Sequence, residues 1–203
     1  MLHRIHRLSA AIIGTYVLFH LFNHLLSLKG TNAHIEFMKE YRDIYRFPIL
    51  EFLLLFLVAF QITSGSYFIV KRRRHRHGFF EKAQALSGAY LAFFLLIYVL
   101  AVLSGRVVFK LDTNFYYAAA GLNITPFQAF FLPYYFLAVV ALFTHVACAL
   151  HWLGRARFTE RIRNNVGYVA ILLGIVLSAI IVATFMGAFY TVDIPTEYRA
   201  TFE

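Results

Sequence analysis

The sequence predicts an all-α integral membrane protein, a single bundle of five transmembrane helices with its N-terminus inside and its C-terminus outside. Three observations carry that expectation. Five apolar stretches without Asp, Glu, Lys or Arg, namely Leu8 to Leu28, Phe52 to Val70, Ala83 to Leu103, Ile124 to Leu153 and Val166 to Tyr190, are each long enough to cross a hydrocarbon core, which takes about 20 helical residues. Hydrophobic residues make up 61% of the chain and charged residues 14%, well short of the roughly 25% charged residues of a soluble domain. The basic residues gather at the ends of the spans instead of spreading over one surface.

That distribution sets the orientation. Arg4 and Arg7 at the N-terminus, Lys71, Arg72, Arg73, Arg74, Arg76 and Lys82 in the second loop, and Arg155, Arg157, Arg161 and Arg163 in the fourth make twelve basic residues on one side, against seven on the other. Short positively charged loops stay in the cytoplasm, so the N-terminal side is inside and the bacterial inner membrane is the expected location. The net charge of +9 is thereby explained without a nucleic-acid partner. With 203 residues and five spans, the loops are too short for a second domain, and 1–203 is one transmembrane unit.

Taken in order, the first span is a retained helix, since it exceeds the roughly 7 to 15 residues of a signal-peptide core and Ser27-Leu28-Lys29-Gly30 offers no small-residue cleavage site. Its polar residues Tyr16, His20, Asn23, His24 and Ser27 share one helical face and must turn towards other helices, because ionisable groups facing lipid are costly. From His34 to Arg46, Ile35, Met38, Tyr41, Ile44 and Tyr45 recur at helical spacing among charges, which predicts an amphipathic outer helix in the interface. The second span opens near Glu51 and carries Gln61, Ser64 and Gly65; the run Lys71 to His77 anchors its inner end. The third has Ser87, Gly88, Tyr90 and Tyr98, and the loop from Gly105 to Asn123 is expected to dip into the interface. The fourth combines His145, Cys148, His151 and Trp152 with the small residues Ala138, Ala141 and Ala149. Cys148 is the only cysteine, so no intrachain disulfide forms.

Histidines on different membrane helices point to haem, because two neutral imidazoles can clamp one iron from both faces and a b-type haem needs no covalent cysteine motif. Counted from the ends of the predicted spans, His20 lies ~18 Å and His145 ~12 Å above the inner surface. Helix tilt absorbs a mismatch of about 6 Å, so His20 and His145 are the expected axial ligands of a single haem b, with hydrogen bonding between helices as the competing role for each.

The chain also resembles the cytochrome b membrane-anchor subunit of succinate dehydrogenase and fumarate reductase, in its five-helix form. The likeness is carried in order by His6-Arg7-Leu8-Ser9, Phe19-His20-Leu21, the amphipathic loop, Pro48 with Leu50-Glu51, Gln84-Ala85-Leu86-Ser87-Gly88, and His145. Five-helix members bind two haems, one between helices one and three and one between helices two and four. His20 and His145 match one ligand of each pair, while the partner positions fall on or near Tyr98 and on Gln61 or Ile62, so the resemblance implies one haem or none.

The resemblance further implies a quinone site near the inner surface, built from His3, His6, Arg7, Ser9 and Trp152, and places Glu51 where relatives have a glutamate for proton release. It implies docking of an iron-sulfur subunit and a flavoprotein subunit on the basic inner loops, with electrons passing between the iron-sulfur subunit and quinone. A chain with no nucleotide loop, no cysteine cluster and no soluble domain cannot oxidise a carbon substrate alone. Two other classes share these features: a stand-alone membrane b-type cytochrome, and a haem-free structural subunit of a larger respiratory or photosynthetic complex.

Overall fold

The computed structural model describes residues 1–75 and 77–202; Arg76, counted above among the inner basic residues, lies outside the described residues. Eight α-helices form, and no strand occurs among the described residues. They are α1 Leu2–Leu26, α2 Thr31–Tyr45, α3 Pro48–Lys71, α4 Phe79–Val107, α5 Phe115–Asn123, α6 Gln128–Leu153, α7 Glu160–Phe185 and α8 Thr196–Arg199. Helices α1, α3, α4, α6 and α7 are long and apolar enough to cross a membrane, as expected of an integral membrane protein. Their outward faces carry exposed Leu18, Phe52, Leu86 and Val169, an apolar surface suited to lipid.

Local chemistry sets the boundaries. Pro48 occupies the first turn of α3, where its missing N–H costs nothing. The backbone N–H of Gly78 donates to Glu81 Oε2 at 2.7 Å at the start of α4, and Asn114 Oδ1 accepts from the Tyr116 N–H at the start of α5, each pairing a group that a helix end leaves open. Gly187, at φ +83°, ends α7 earlier than the predicted Tyr190, because left-handed backbone stops a helix and is cheap only for glycine. The first span differs in the other direction. α1 starts at Leu2, not Leu8, since Arg4, His6 and Arg7 are tolerated in a helix end that emerges from the bilayer.

Neighbours follow the order α1, α3, α4, α6, α7, with α6 lying most extensively against α7. Gly30 at φ +113° turns the chain after α1 so that α2 folds back over that end of the bundle. The loop expected to dip into the interface instead contains α5, whose Phe115, Ala119, Ala120 and Leu122 are buried against Ile181, Val182 and Phe185 of α7 and against Ile194 and Tyr198. The predicted polar stripe on α1 does face inward: Asn23 and Ser27 are buried, and Tyr16, His20 and His24 line an internal cavity.

Topology is directly testable. Cys148 is fully buried, so single cysteines introduced at Lys71 and Glu197 give clean signals; an impermeant thiol reagent is expected to reach Glu197→Cys from outside an intact membrane and Lys71→Cys only from inside. Labelling of both from one side would defeat the five-span topology.

Candidate functional site

The five-helix arrangement encloses a cavity of about 1660 Å³, larger than the roughly 300 to 1,000 Å³ of a pocket for one small ligand. It runs the length of the bundle, from His3, Arg72 and Trp152 at the basic-loop end to Glu51, Arg106 and Arg46 at the α2 end. Burial, with Arg42 nearby, holds Arg46 below the usual guanidinium range; its Nη2 donates to Thr113 Oγ1 at 2.9 Å.

The two expected haem ligands stand at different heights. His145 Nδ1 is 3.2 Å from Ser87 Oγ on α4, whereas His20 Nε2 is 3.3 Å from Tyr98 Oη on the same helix. Ser87 and Tyr98 are separated by about 16 Å of helix rise, while metal–imidazole bonds of about 2 Å bring two axial nitrogens within about 4 Å of each other. One iron therefore cannot be held by His20 and His145. The reckoning from predicted spans failed because it set Leu8 of α1 level with the inner end of α6, whereas His6, two residues before Leu8, meets Ser64 of α3 near the height at which His145 meets Ser87. His20 Nε2 is also engaged by His24 Nε2 at 3.1 Å. These residues do not fit the expected clamp.

A different histidine lies level with His145. His6 Nδ1 is 2.7 Å from Ser64 Oγ on α3, and Ser64 and Ser87 sit at matching distances from the ends of the antiparallel neighbours α3 and α4. His6 and His145 both line the cavity and are within electrostatic reach of each other. Each is fixed through Nδ1 by a serine, which leaves Nε2 to offer an iron, the second-sphere arrangement typical of metal-bound imidazole. Each also lies beside a glycine that follows its serine. A Cβ at Gly65 would be 3.7 Å from His6 Cε1, and one at Gly88 would be 3.1 Å from His145 Cε1. These residues fit a b-type haem.

At the basic-loop end the expected quinone residues divide. His3, Arg7 and Trp152 line the cavity together with Arg72, Gln84 and Arg155. The His3 ring stacks on Phe68 with centroids 4.0 Å apart, Arg72 Nη2 is 3.2 Å from its Nε2, and Trp152 Nε1–H donates to Gln84 Oε1 at 2.9 Å. Ser9 is withdrawn from this set: it is buried, donates to Ile5 O at 3.0 Å and accepts from Gln61 Nε2 at 2.7 Å. It fastens α1 to α3. Glu51, at the opposite end, forms an ion pair with Arg106 and so ties α3 to α4. Gln84 and His34 were missed by sequence reasoning as site residues. Gln84 enters the sequence reading only as the start of the run Gln84 to Gly88, with no role of its own, while His34 reads as the first residue of an amphipathic surface stretch.

No family model matches the chain, and neither a curated protein nor a solved structure does.

Proposed function

We propose that this chain is the membrane-anchoring, quinone-reacting cytochrome b-type subunit of a complex like succinate dehydrogenase or fumarate reductase, set in a bacterial cytoplasmic membrane with its N-terminus inside. The observation that carries the reading is the continuous cavity, which has a serine-fixed histidine pair, His6 and His145, in its basic-loop half and a mouth lined by His3, Arg7, Gln84 and Trp152. When bound, haem b supplies one-electron storage between partner and quinone. The chain's own residues do the rest: the Arg7 guanidinium and the imidazole of His3 offer donors to a quinone carbonyl, and an imidazole exchanges protons near neutral pH. The polar interior is shielded by apolar outer faces in contact with lipid.

Partners follow from what the bundle lacks. Reduction of a quinone takes two electrons and two protons, and the chain has no centre to draw electrons from a carbon substrate. Lys71, Arg72, Arg73, Arg74 and Lys82 of one loop and Arg155, Arg157 and Arg161 of the other are exposed and offer a basic surface on which an iron-sulfur subunit and its flavoprotein dock. Mild detergent extraction is expected to recover both soluble subunits with succinate:quinone or quinol:fumarate activity. Isolation of the chain with other partners and no flavoprotein would reject the enzyme assignment and favour a structural subunit of another complex.

A further inference from the structure

The α2 end of the cavity holds a cluster of nitrogen and oxygen donors that neither the haem clamp nor the quinone mouth uses. His20 and His24 stand four residues apart on α1, so their side chains share a face, the spacing by which two histidines of one helix bind a single zinc ion. Their rings converge through one nitrogen each: His20 Nε2 is 3.1 Å from His24 Nε2, while the ring centroids are 4.4 Å apart. From α4, Tyr98 Oη reaches the same His20 nitrogen at 3.3 Å. We propose that His20 Nε2, His24 Nε2 and Tyr98 Oη hold a zinc ion, with the fourth tetrahedral position facing the cavity.

Spacing and chemistry both suit the ion. Zinc bonds of about 2.0 to 2.1 Å to nitrogen and oxygen, set at the tetrahedral angle, place neighbouring ligand atoms about 3.3 Å apart, close to the two separations seen. Each of the three atoms then turns a lone pair to the ion where it now meets its neighbour. Among the described residues no three His, Cys, Asp or Glu side chains are grouped to hold a metal ion; the third ligand here is a phenol oxygen. It gives up its proton on binding and so offsets one of the ion's two charges. That matters inside a membrane, where a buried charge has to be paired or coordinated.

The tautomers are set for this role. Asn23 Nδ2–H, 3.2 Å from His34 Nε2, needs that nitrogen bare to accept from it. His24 Nδ1, 3.3 Å from the same atom, therefore carries a proton and donates it to His34, and His24 Nε2 keeps its lone pair. An imidazole that ligates through one nitrogen and donates from the other to a fixed acceptor is the usual outer-shell arrangement of a zinc histidine. His34, buried at the edge of the cavity, is thus a positioning residue and not a ligand. His20 completes the set by carrying its own proton on Nδ1. Tyr16 stacks on His20 and Phe185 meets His24 edge-on, which holds both rings in place. The ion has access, because the cavity extends to half-buried Glu51 and Arg106. Tyr98 lies about 16 Å along α4 from Ser87, the partner of His145, so the site is separate from the haem clamp.

Its test needs neither haem, quinone nor a partner subunit. The purified full chain in detergent is stripped with a chelator and dialysed to equilibrium against Zn2+, and bound zinc is measured by elemental mass spectrometry. One tightly held zinc per chain is expected. His20→Ala, His24→Ala and Tyr98→Phe should weaken it by more than the roughly 10- to 100-fold that loss of an outer-shell partner costs, whereas His77→Ala, at an exposed histidine, should leave it unchanged. His34→Leu should weaken binding by about 10- to 100-fold, and His34→Gln, which keeps an acceptor for His24, should restore most of it. Native binding no tighter than that of His20→Ala overturns the site, because only adventitious surface binding then remains. Since a misfolded variant also loses zinc, the zinc X-ray absorption spectrum of the native chain is the second measurement. Two imidazole rings with oxygen at about 2.0 to 2.2 Å are expected; a sulfur ligand from Cys148, or any number of imidazoles other than two, equally overturns the assignment.

Discussion

Replacing either His6 or His145 with alanine is expected to abolish the b-type absorption bands of the purified chain, read as haem per protein from the reduced-minus-oxidised spectrum. Each ring would offer a haem iron only Nε2, because Nδ1 is held by Ser64 in one case and by Ser87 in the other. Loss of one axial ligand would leave a single imidazole to hold the group. Ser64→Ala and Ser87→Ala test the supporting shell; removal of such partners costs about 10- to 100-fold in metal affinity, so these variants should retain haem only when it is supplied in excess. His20→Ala should keep the bands, since His20 Nε2 is spent on His24 and Tyr98. Bands that survive in both His6→Ala and His145→Ala would dissolve the clamp. Their loss in His20→Ala would return that residue to the ligand set.

The second large effect concerns the packing of α7 against α6 and α4. A Cβ at Gly174 would collide with Phe143 Cβ and lie 2.8 Å from its Cγ, and one at Gly167 would lie 2.6 Å from Phe80 Cε1. Small residues at such places let helix backbones approach closely, which drives association where lipid provides no hydrophobic contrast. The neighbours cannot yield: Phe143 meets the added carbon with the root of its side chain, and Phe80 is itself stacked on His151 with centroids 4.0 Å apart. Gly174→Ala and Gly167→Ala are therefore expected to destabilise the bundle by about 1–3 kcal/mol each, the usual cost of overpacking. In thermal unfolding in detergent both should melt below the native chain. Gly14→Ala is the contrast, because nothing lies within 4 Å of its added carbon and alanine is the better helix former by roughly 0.5–1 kcal/mol. Equal melting of Gly174→Ala and the native chain would remove the close contact from the account of stability.

Membrane chemistry makes part of this legible along the chain. A residue run either can or cannot satisfy about 30 Å of hydrocarbon, and polar side chains on an apolar helix have one place to go, so the five spans and the inward stripe of α1 follow from the pattern alone. Tyr16, His20, Asn23, His24 and Ser27 declare their common face by helical spacing without any knowledge of what they meet. The small residues of the fourth span are legible in the same way: Ala138 and Ala141 are buried and Ala149 lines the cavity.

What tertiary structure alone decided is height and partnership. Two histidines share an iron only if their helices stand in the right register, and register depends on where α1 begins and on contacts such as Gln61 to Ser9 and Ser87 to His145, none of which is written in either helix by itself. That register moved the ligand choice from His20 to His6. Likewise His34, which reads as the edge of a surface helix, joins His24 only because Gly30 turns α2 back over the bundle. The sequence by itself determined which side chains face the interior; the fold decided which of them meet, because contact between helices is a property of their relative placement and not of any one helix's periodicity.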